Sequence, residues 1–270
     1  MELSWVGWTH FVVLVVVLPG LALVQPSDEI PLPPRRSIYV SASSVLWVLA
    51  AVTVGVLAWE GVAPHHLRMY GAGLGRVIAW SVAAMLGALG VAAAWSALGR
   101  RLGLRESRWV EHLMPRSRAE RATFVGVALT AGVTEELMYR GYALWVLSGA
   151  LGDRPWAAAL LLSVPFGVLH AYQRAIGVVR ATLLGFLLSV PVLLGGGVVA
   201  AMAAHFGVNV VLGHYGSRQS TGRRLICSLS TVNCRLSTAY ISQPRASAAS
   251  PRKVPNPTTS LTVVRKMLDA

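Results

Sequence analysis

The sequence predicts an all-α fold, a polytopic bundle of transmembrane helices. Two features of the composition lead to this prediction: 54% of the 270 residues are hydrophobic and only 13% are charged, which gives a mean hydropathy of +0.58. A water-soluble domain has about 25% charged residues. The third observation is that apolar runs of about 20 residues, long enough to cross a bilayer as a helix, recur along residues 1–215.

Seven such runs predict seven spans, with eight as the alternative count. The first run lacks the Lys/Arg-rich start and the small-residue cleavage site of a secretory signal, so we expect it to be retained as a span. The fourth run differs from the others because it carries ionisable residues near its centre. The predicted spans are 6–24, 44–62, 77–98, 122–148, 156–172, 178–195 and 197–213.

Two segments outside the spans are polar. Residues 99–121 contain seven arginines and are expected to form a partly amphipathic helix at the membrane surface. Residues 216–270 contain fifteen Ser or Thr and carry a net charge of +8. Because that composition cannot bury a core, we expect a basic, disordered tail that follows a transmembrane domain of residues 1–215.

Positive charge is distributed unevenly over this topology. With the N-terminus outside, 20 of the 24 Lys and Arg residues fall in the cytoplasmic loops and the tail, and three fall in the external loops. Because basic loops stay on the cytoplasmic side, we expect an external N-terminus and a cytoplasmic C-terminus. The many Arg and Ala residues favour a bacterial plasma membrane. We expect the tail to contact anionic lipids, and no motif favours binding to nucleic acid.

The fourth span contains the stretch TEELMYRG, which places Glu135, Glu136 and Arg140 in an otherwise apolar helix. Each charge at the centre of a bilayer costs at least about 2.5 to 3.5 kcal/mol, so such residues need partners and indicate function. Glu136 and Arg140 are four residues apart and are expected to pair on one helix face. Glu135 lies about 100° around the helix and is left without that partner, which suits a general base or acid.

Two later spans each carry a pair of residues with the same spacing. Phe166 and His170 are four residues apart in SVPFGVLHAY, and His205 and Asn209 are four residues apart in AMAAHFGVNVV. Residues with this spacing share a helix face. Polar side chains from three spans can therefore converge on one water-lined cavity.

The three motifs E-E-x-x-x-R, F-x-x-x-H and H-x-x-x-N, in this order on successive membrane helices, resemble the CPBP intramembrane protease family. This family includes the type II CAAX prenyl endopeptidases and bacterial bacteriocin-processing or immunity relatives. The resemblance covers roughly residues 118–213 and includes Tyr139, Gly141 and Gly185 near the motifs. It implies a membrane-embedded endopeptidase that acts on a peptide or a membrane protein.

The resemblance also implies a role for each motif residue. Glu135 and His170 would activate the water, while His205 and Asn209 would polarise the scissile carbonyl and stabilise the oxyanion. The remaining motif residues would hold the helices in place. The implied catalytic set is Glu135, His170, His205 and Asn209, and the implied structural set is Glu136, Arg140 and Phe166.

The same donor set leaves the question of a metal open. Glu135, His170 and His205 could bind zinc and leave a position for water, which is the reason the family is commonly labelled as metalloproteases. The H-E-x-x-H motif is absent, however, and a metal-free glutamate mechanism uses the same side chains. Zinc-dependent and metal-free hydrolysis are thus both expectations.

Two other functions are compatible with the sequence. Buried Glu, His and Arg residues also build proton relays, which would make the chain a proton-coupled carrier. No internal repeat relates the two halves of the chain, which disfavours that class. The other alternative is a non-catalytic membrane protein of the bacteriocin-immunity type that keeps the same fold.

Overall fold

The computed structural model describes residues 3–24, 32–71, 73–104 and 107–229, with side chains up to Ser217. Residues Met1–Arg223 form one compact unit and Arg224–Ala270 a second, of which only the end of one helix is described.

Every regular element in the described part of the chain is helical, with no strand there. The α-helices are α1 (Trp5–Val12), α2 (Leu18–Ala22), α3 (Arg35–Trp59), α4 (Leu74–Arg101), α5 (Arg108–Leu113), α6 (Arg118–Glu136), α7 (Leu144–Ala150), α8 (Pro155–Val168), α9 (Arg174–Leu193) and α10 (Gly197–Leu229). Two π-helical segments, Val13–Val17 (the first π segment) and Leu137–Ala143 (the second π segment), join α1 to α2 and α6 to α7, and a 3₁₀ turn covers Ala171–Gln173.

The predicted fold class is confirmed, because several helical stretches are long and apolar enough to cross a membrane. By length and composition there are five in the described residues: Trp5–Ala22, Arg35–Trp59, Leu74–Arg101, Ala171–Leu193 and Gly197–Ser217. They correspond to the first, second, third, sixth and seventh predicted spans.

Some predicted boundaries are wrong. The second span begins at Arg35, well before residue 44. The helix of the seventh span continues to Leu229, past residue 213. For most of its length, from residue 230 onward, the predicted disordered tail lies outside the described residues.

The prediction of one helix over residues 99–121 is also wrong, whereas its expected place at the membrane surface stays a prediction. The segment contains the end of α4, the short helix α5 and the start of α6. Gly103, with φ of +69°, ends α4, because a left-handed backbone there stops the helix at low cost. Ser117 begins α6 through a capping box, in which its hydroxyl accepts from the Glu120 N–H and the Glu120 carboxylate accepts from the Ser117 N–H.

The fourth predicted span is part of a longer helix, because α6, the second π segment and α7 follow one another without a break from residue 118 to residue 150. At 1.5 Å per residue this rod is about 50 Å long. It is not among the five apolar stretches, since polar and ionisable residues lower its hydropathy.

The fifth predicted span is the short helix α8, which packs against both α7 and α9. Glu135 lies fifteen residues before the end of α7, and His170 lies fifteen residues after the start of α8. Since α7 and α8 are joined by a tight turn, both residues lie about 22 Å from that connection. This equal spacing brings the first two motifs to the same level of the bundle.

The buried core surrounds the second π segment. Tyr139, Tyr142 and Ala143 of this segment are each no more than 3% exposed. They pack with Leu14 of the first π segment and Phe166 of α8 in one cluster of buried residues. The motif-bearing rod is therefore surrounded by protein where the ionisable residues lie.

Candidate active site

Glu136 connects two of the three motifs. Its side chain is fully buried, and its Oε1 atom lies 3.1 Å from Nη1 of Arg140 and 2.8 Å from Nδ1 of His205. The predicted pair between Glu136 and Arg140 is present in the structure. The contact with His205 was not predicted, because periodicity within one helix carries no information about the partner helix.

Arg140 uses both arms of its guanidinium group. Nη1 donates to Glu136, and Nη2 donates to the backbone carbonyl of Gly185 at 2.6 Å. The guanidinium carbon lies 4.2 Å from the centroid of the Phe166 ring, which is a cation–π contact. A buried cation is thus matched by a carboxylate, a carbonyl and an aromatic face.

Gly132 allows α6 and α10 to approach closely. A Cβ atom at this position would lie 2.9 Å from the backbone nitrogen of Phe206 and 3.0 Å from the carbonyl oxygen of Met202. Glu136 follows one turn later on α6, and His205 lies between those two residues of α10 on the chain. The absence of a side chain at residue 132 therefore brings the carboxylate within hydrogen-bond distance of the imidazole.

Gly185 plays the same part between α8 and α9. A Cβ atom there would lie 2.9 Å from Cδ1 of Phe166 and 3.3 Å from Nη2 of Arg140. A side chain at residue 185 would crowd the Phe166 ring and the Arg140 guanidinium group that donates to the Gly185 carbonyl. Close packing therefore explains why residue 185, which the sequence analysis noted only as part of the resemblance, is a glycine.

Phe166 is the aromatic centre of the site and is 3% exposed. Its ring centroid lies 5.3 Å from that of His170, 6.3 Å from that of His205 and 5.2 Å from that of Tyr139. Together with the Arg140 contact, these distances mean that one ring touches all three motif-bearing helices. Phe166 was expected to pack on the helix that carries the glutamates, and it also packs on His170 and His205.

The hydrogen bonds fix the tautomer of both imidazoles. Nδ1 of His170 lies 3.0 Å from the Phe166 carbonyl, which can only accept, so this nitrogen carries a proton. Nδ1 of His205 carries a proton for the same reason, since an ionised Glu136 only accepts. In each ring Nε2 remains, and no hydrogen bond to it occurs among the described residues.

Glu135 lies close enough to both His170 and His205 to interact with each electrostatically. Its Oε2 atom is buried and has no hydrogen-bond partner in the described part of the chain. A buried polar atom without a partner is costly and calls for an explanation, such as a bound water or a catalytic role.

Asn209 lies one turn after His205 on α10 and is half-buried. Its side chain makes no hydrogen bond to any described residue, so the amide is available to a ligand. The structure therefore assembles Glu135, His170 and His205 in one region, with Asn209 on the same helix face as His205.

Tyr172 was missed by sequence reasoning. Its ring centroid lies 6.2 Å from that of the His170 ring. Its hydroxyl accepts from Nε2 of Gln173 at 2.8 Å, and Oε1 of Gln173 accepts from Nη2 of Arg180 at 2.8 Å. Only its position two residues after His170 could have indicated it, because a turn has no periodicity to follow.

The donor types at the site suit zinc, and each histidine has an outer hydrogen bond of the kind that orients zinc ligands. Among the residues that the structure describes, however, no three His, Cys, Asp or Glu side chains are gathered closely enough to hold a metal ion. Glu135, His170 and His205 thus do not form a ligand group in this arrangement. Zinc therefore stays a prediction.

A cavity of about 500 Å³ lies beside the motif-bearing rod. Arg140 and Gly141 line it, together with the charged residues Glu60, Arg68 and Asp153. The four residues of the implied catalytic set do not line it. Among the motif residues, Arg140 therefore both lines this cavity and contacts the buried Glu136.

Comparison with known proteins gives one family match. Residues 118–211 match the profile of the family described as Type II CAAX prenyl endopeptidase Rce1-like. No curated protein and no solved structure gives a significant match to the chain. The matched residues run from the start of α6 into α10 and contain all three motifs. The part of the chain that carries the buried Glu, Arg, His and Asn residues is therefore similar to the family of type II CAAX prenyl endopeptidases, which the motifs also resemble.

Proposed function

We propose that this protein is a membrane-embedded endopeptidase that hydrolyses a peptide bond with a water molecule activated by Glu135 and His170. The observation that carries the proposal is the buried, unpartnered Oε2 of Glu135 in electrostatic range of two imidazoles. A water held there would satisfy this oxygen, and it would also be the nucleophile. The Rce1-like match supports the same reaction class.

The proposed reaction has two stages. Glu135 takes a proton from the water as the water oxygen forms a bond to the carbonyl carbon of the substrate, and Nε2 of His170 accepts a hydrogen bond from the same water. The electron pair of the carbonyl bond moves to its oxygen. The electron pair on the oxyanion then re-forms the carbonyl as the carbon–nitrogen bond breaks, and the proton passes from Glu135 to the leaving amine.

His205 and Asn209 stabilise the oxyanion in this proposal. The Asn209 amide donates directly, and His205 donates when Nε2 carries a proton, because the Glu136 carboxylate on Nδ1 then balances the positive ring. One such donor is worth about 2.7 to 4 kcal/mol, and general-base catalysis supplies about 10²- to 10⁴-fold. Both contributions are needed, since neither alone approaches the acceleration typical of enzymes.

The test uses the full chain in proteoliposomes with fluorogenic peptides that end in a CAAX sequence, each in a farnesylated and an unmodified form. We expect the wild type to cleave one of these sets and Glu135→Gln to lose about 10²- to 10⁴-fold of the rate. Glu111→Gln is the matched control, because Glu111 is an exposed glutamate of α5 outside the site. Cleavage that persists unchanged in Glu135→Gln would reject the proposed base.

A chelator arm separates the two versions of the mechanism. Loss of wild-type cleavage with a chelator, restored by added zinc, would assign the reaction to a metal-dependent enzyme. Cleavage that persists in chelator would assign it to the metal-free glutamate mechanism. The same liposomes test the two alternative functions. A proton-coupled carrier would show a proton flux that Glu135→Gln abolishes. A non-catalytic protein of the immunity type would show neither cleavage nor proton flux.

We further propose that the chain lies in a bacterial plasma membrane with an external N-terminus and a cytoplasmic C-terminus. The charge asymmetry of the loops supports this orientation. Cys227 and Cys234 are the only cysteines and both lie in the C-terminal part of the sequence. An impermeant maleimide should label them only after the cells are opened, and labelling of intact spheroplasts would reverse the proposed orientation.

A further inference from the structure

Pro19 leaves a backbone carbonyl of the first helix without a helical donor. In a regular α-helix the carbonyl of Leu14 would accept from the N–H of Leu18. Here the N–H of Leu18 bonds to the carbonyl of Val13, as the first π segment requires, and residue 19 has no N–H because it is proline. The Leu14 carbonyl therefore has neither the α-helical donor, the N–H of residue 18, nor the π-helical donor, an N–H at residue 19.

Tyr139 supplies the missing donor. Its hydroxyl lies 2.8 Å from the carbonyl oxygen of Leu14, and both residues are buried. A carbonyl without a partner is costly in a bilayer, since no water reaches it there. The contact thus joins the helix of the N-terminal span to the second π segment, next to the glutamates of the first motif.

The Tyr139 ring also reaches the site. It packs edge-to-face on Phe166 at a centroid distance of 5.2 Å, and Phe166 in turn contacts the rings of His170 and His205. The backbone of Leu14 is therefore connected to both imidazoles through two aromatic rings.

Tyr142 makes a similar tether that does not reach the site. Its hydroxyl donates to the carbonyl of Gly7 at 2.6 Å, and its ring lies 5.1 Å from that of His10. Both tyrosines therefore dock the N-terminal helices on the motif-bearing rod, but only Tyr139 packs on Phe166 among the described ring contacts. This difference makes Tyr142 a matched control.

We propose that Tyr139 is a positioning residue of the active site, held in place by the Leu14 carbonyl that Pro19 leaves open. The inference rests on the proposed function for its link to catalysis. It assigns a role to Pro19 and to the first helices, which lie outside the matched residues 118–211. Loss of the tether lets the Tyr139 and Phe166 rings shift, and the imidazoles then lose their alignment with Glu135.

The kinetic test compares Tyr139→Phe, Pro19→Ala, the double variant and Tyr142→Phe on the best peptide substrate. We expect Tyr139→Phe to lower kcat about tenfold with KM unchanged, because small misplacements of catalytic groups are costly. Pro19→Ala should give a similar loss, because its N–H lets the helix satisfy its own carbonyls. The double variant should be no slower than the worse single variant, since both changes remove the same hydrogen bond.

Tyr142→Phe should change kcat by less than about twofold. It loses a hydrogen bond of the same kind as Tyr139→Phe does, so the two variants should lose a similar amount of thermal stability. Equal kcat for Tyr139→Phe and Tyr142→Phe would overturn the positioning role. Multiplicative effects of Tyr139→Phe and Pro19→Ala would overturn the role of Pro19.

A second readout does not depend on activity. The ring-nitrogen NMR signals of ¹⁵N-histidine in detergent micelles should shift for His170 and His205 in Tyr139→Phe and stay in place in Tyr142→Phe. If the wild type cleaves no peptide, the proposed function fails while this comparison still decides the inference. Unchanged ring signals in Tyr139→Phe would overturn it.

Discussion

Nδ1 of His205 lies 2.8 Å from Oε1 of Glu136, and the same oxygen lies 3.1 Å from Nη1 of Arg140. One carboxylate oxygen thus holds a residue of α10 and a residue of the second π segment. Through Arg140 the connection continues to the Gly185 carbonyl on α9. The second glutamate of the E-E pair is therefore the residue that joins α10, the second π segment and, through Arg140, α9.

Glu136→Gln should destabilise the protein by about 3 to 5 kcal/mol, because it leaves the buried Arg140 without its anionic partner. The loss should appear as a lower thermal midpoint in detergent, measured by circular dichroism. The double variant Glu136→Gln/Arg140→Met should recover part of this stability, since it removes the unpaired cation. A double variant that is less stable than Glu136→Gln would contradict this account of the pair.

Gly132→Ala should reduce both stability and activity, since its Cβ would lie 2.9 Å from the backbone of α10 and push the Glu136 and His205 helices apart. Gly126→Ala is the matched control on the same helix, because nothing lies within 4 Å of a Cβ at that position. The control should be neutral or stabilising by up to about 1 kcal/mol. Equal effects of the two substitutions on the thermal midpoint would show that close packing at Gly132 is not what matters.

Arg140→Lys should retain the charge but lose most of the activity. A lysine ammonium is a single point charge, so it cannot match the fork that binds Glu136 and Gly185 at once, nor the planar stacking on Phe166. We expect a fall in kcat of about tenfold or more. Arg121→Lys, an exposed change near the start of α6, serves as the control. Wild-type kcat in Arg140→Lys would mean that charge alone is sufficient.

Stability should depend on pH through Glu120, outside the predicted spans. The backbone N–H of Arg116, and then that of Ser117 and the charge of Arg35, hold the pKa of Glu120 below its ordinary value of 4.5. Because the folded-state pKa is the lower one, this stabilisation is present above 4.5 and is lost as the pH falls through the folded-state value. Between about pH 6 and pH 3 the thermal midpoint of the wild type should therefore fall more than that of Glu120→Gln, which keeps the capping box without the charge. Parallel curves for the two proteins would contradict this.

Composition and the length of the apolar runs predicted the all-α fold, and the four-residue spacing predicted which polar side chains share a helix face. The pair of Glu136 and Arg140 is an example, since residues four apart meet whatever surrounds them. The contacts of His205 with Glu136 and of Tyr139 with Leu14 join residues 69 and 125 positions apart. Such contacts depend on how the helices pack, which a single sequence does not specify.

Helix boundaries were the weaker part of the prediction, because they depend on local capping. The predicted fourth span began at residue 122 and the predicted fifth span ended at residue 172. The capping box at Ser117 starts α6 earlier, and α8 ends at Val168. The hydropathy of the flanking residues does not reveal these two local events.

The early end of α8 has a consequence for the surrounding lipid. Fourteen residues of helix cover about 21 Å, less than the roughly 30 Å of hydrocarbon in a typical bilayer. The last carbonyls of a helix need donors, and His170 provides one of them by capping Phe166. The same imidazole that serves the proposed chemistry thus caps a helix that is too short to cross a typical bilayer. We therefore expect the hydrocarbon next to α8 to be locally thinner, which would bring water to the level of His170.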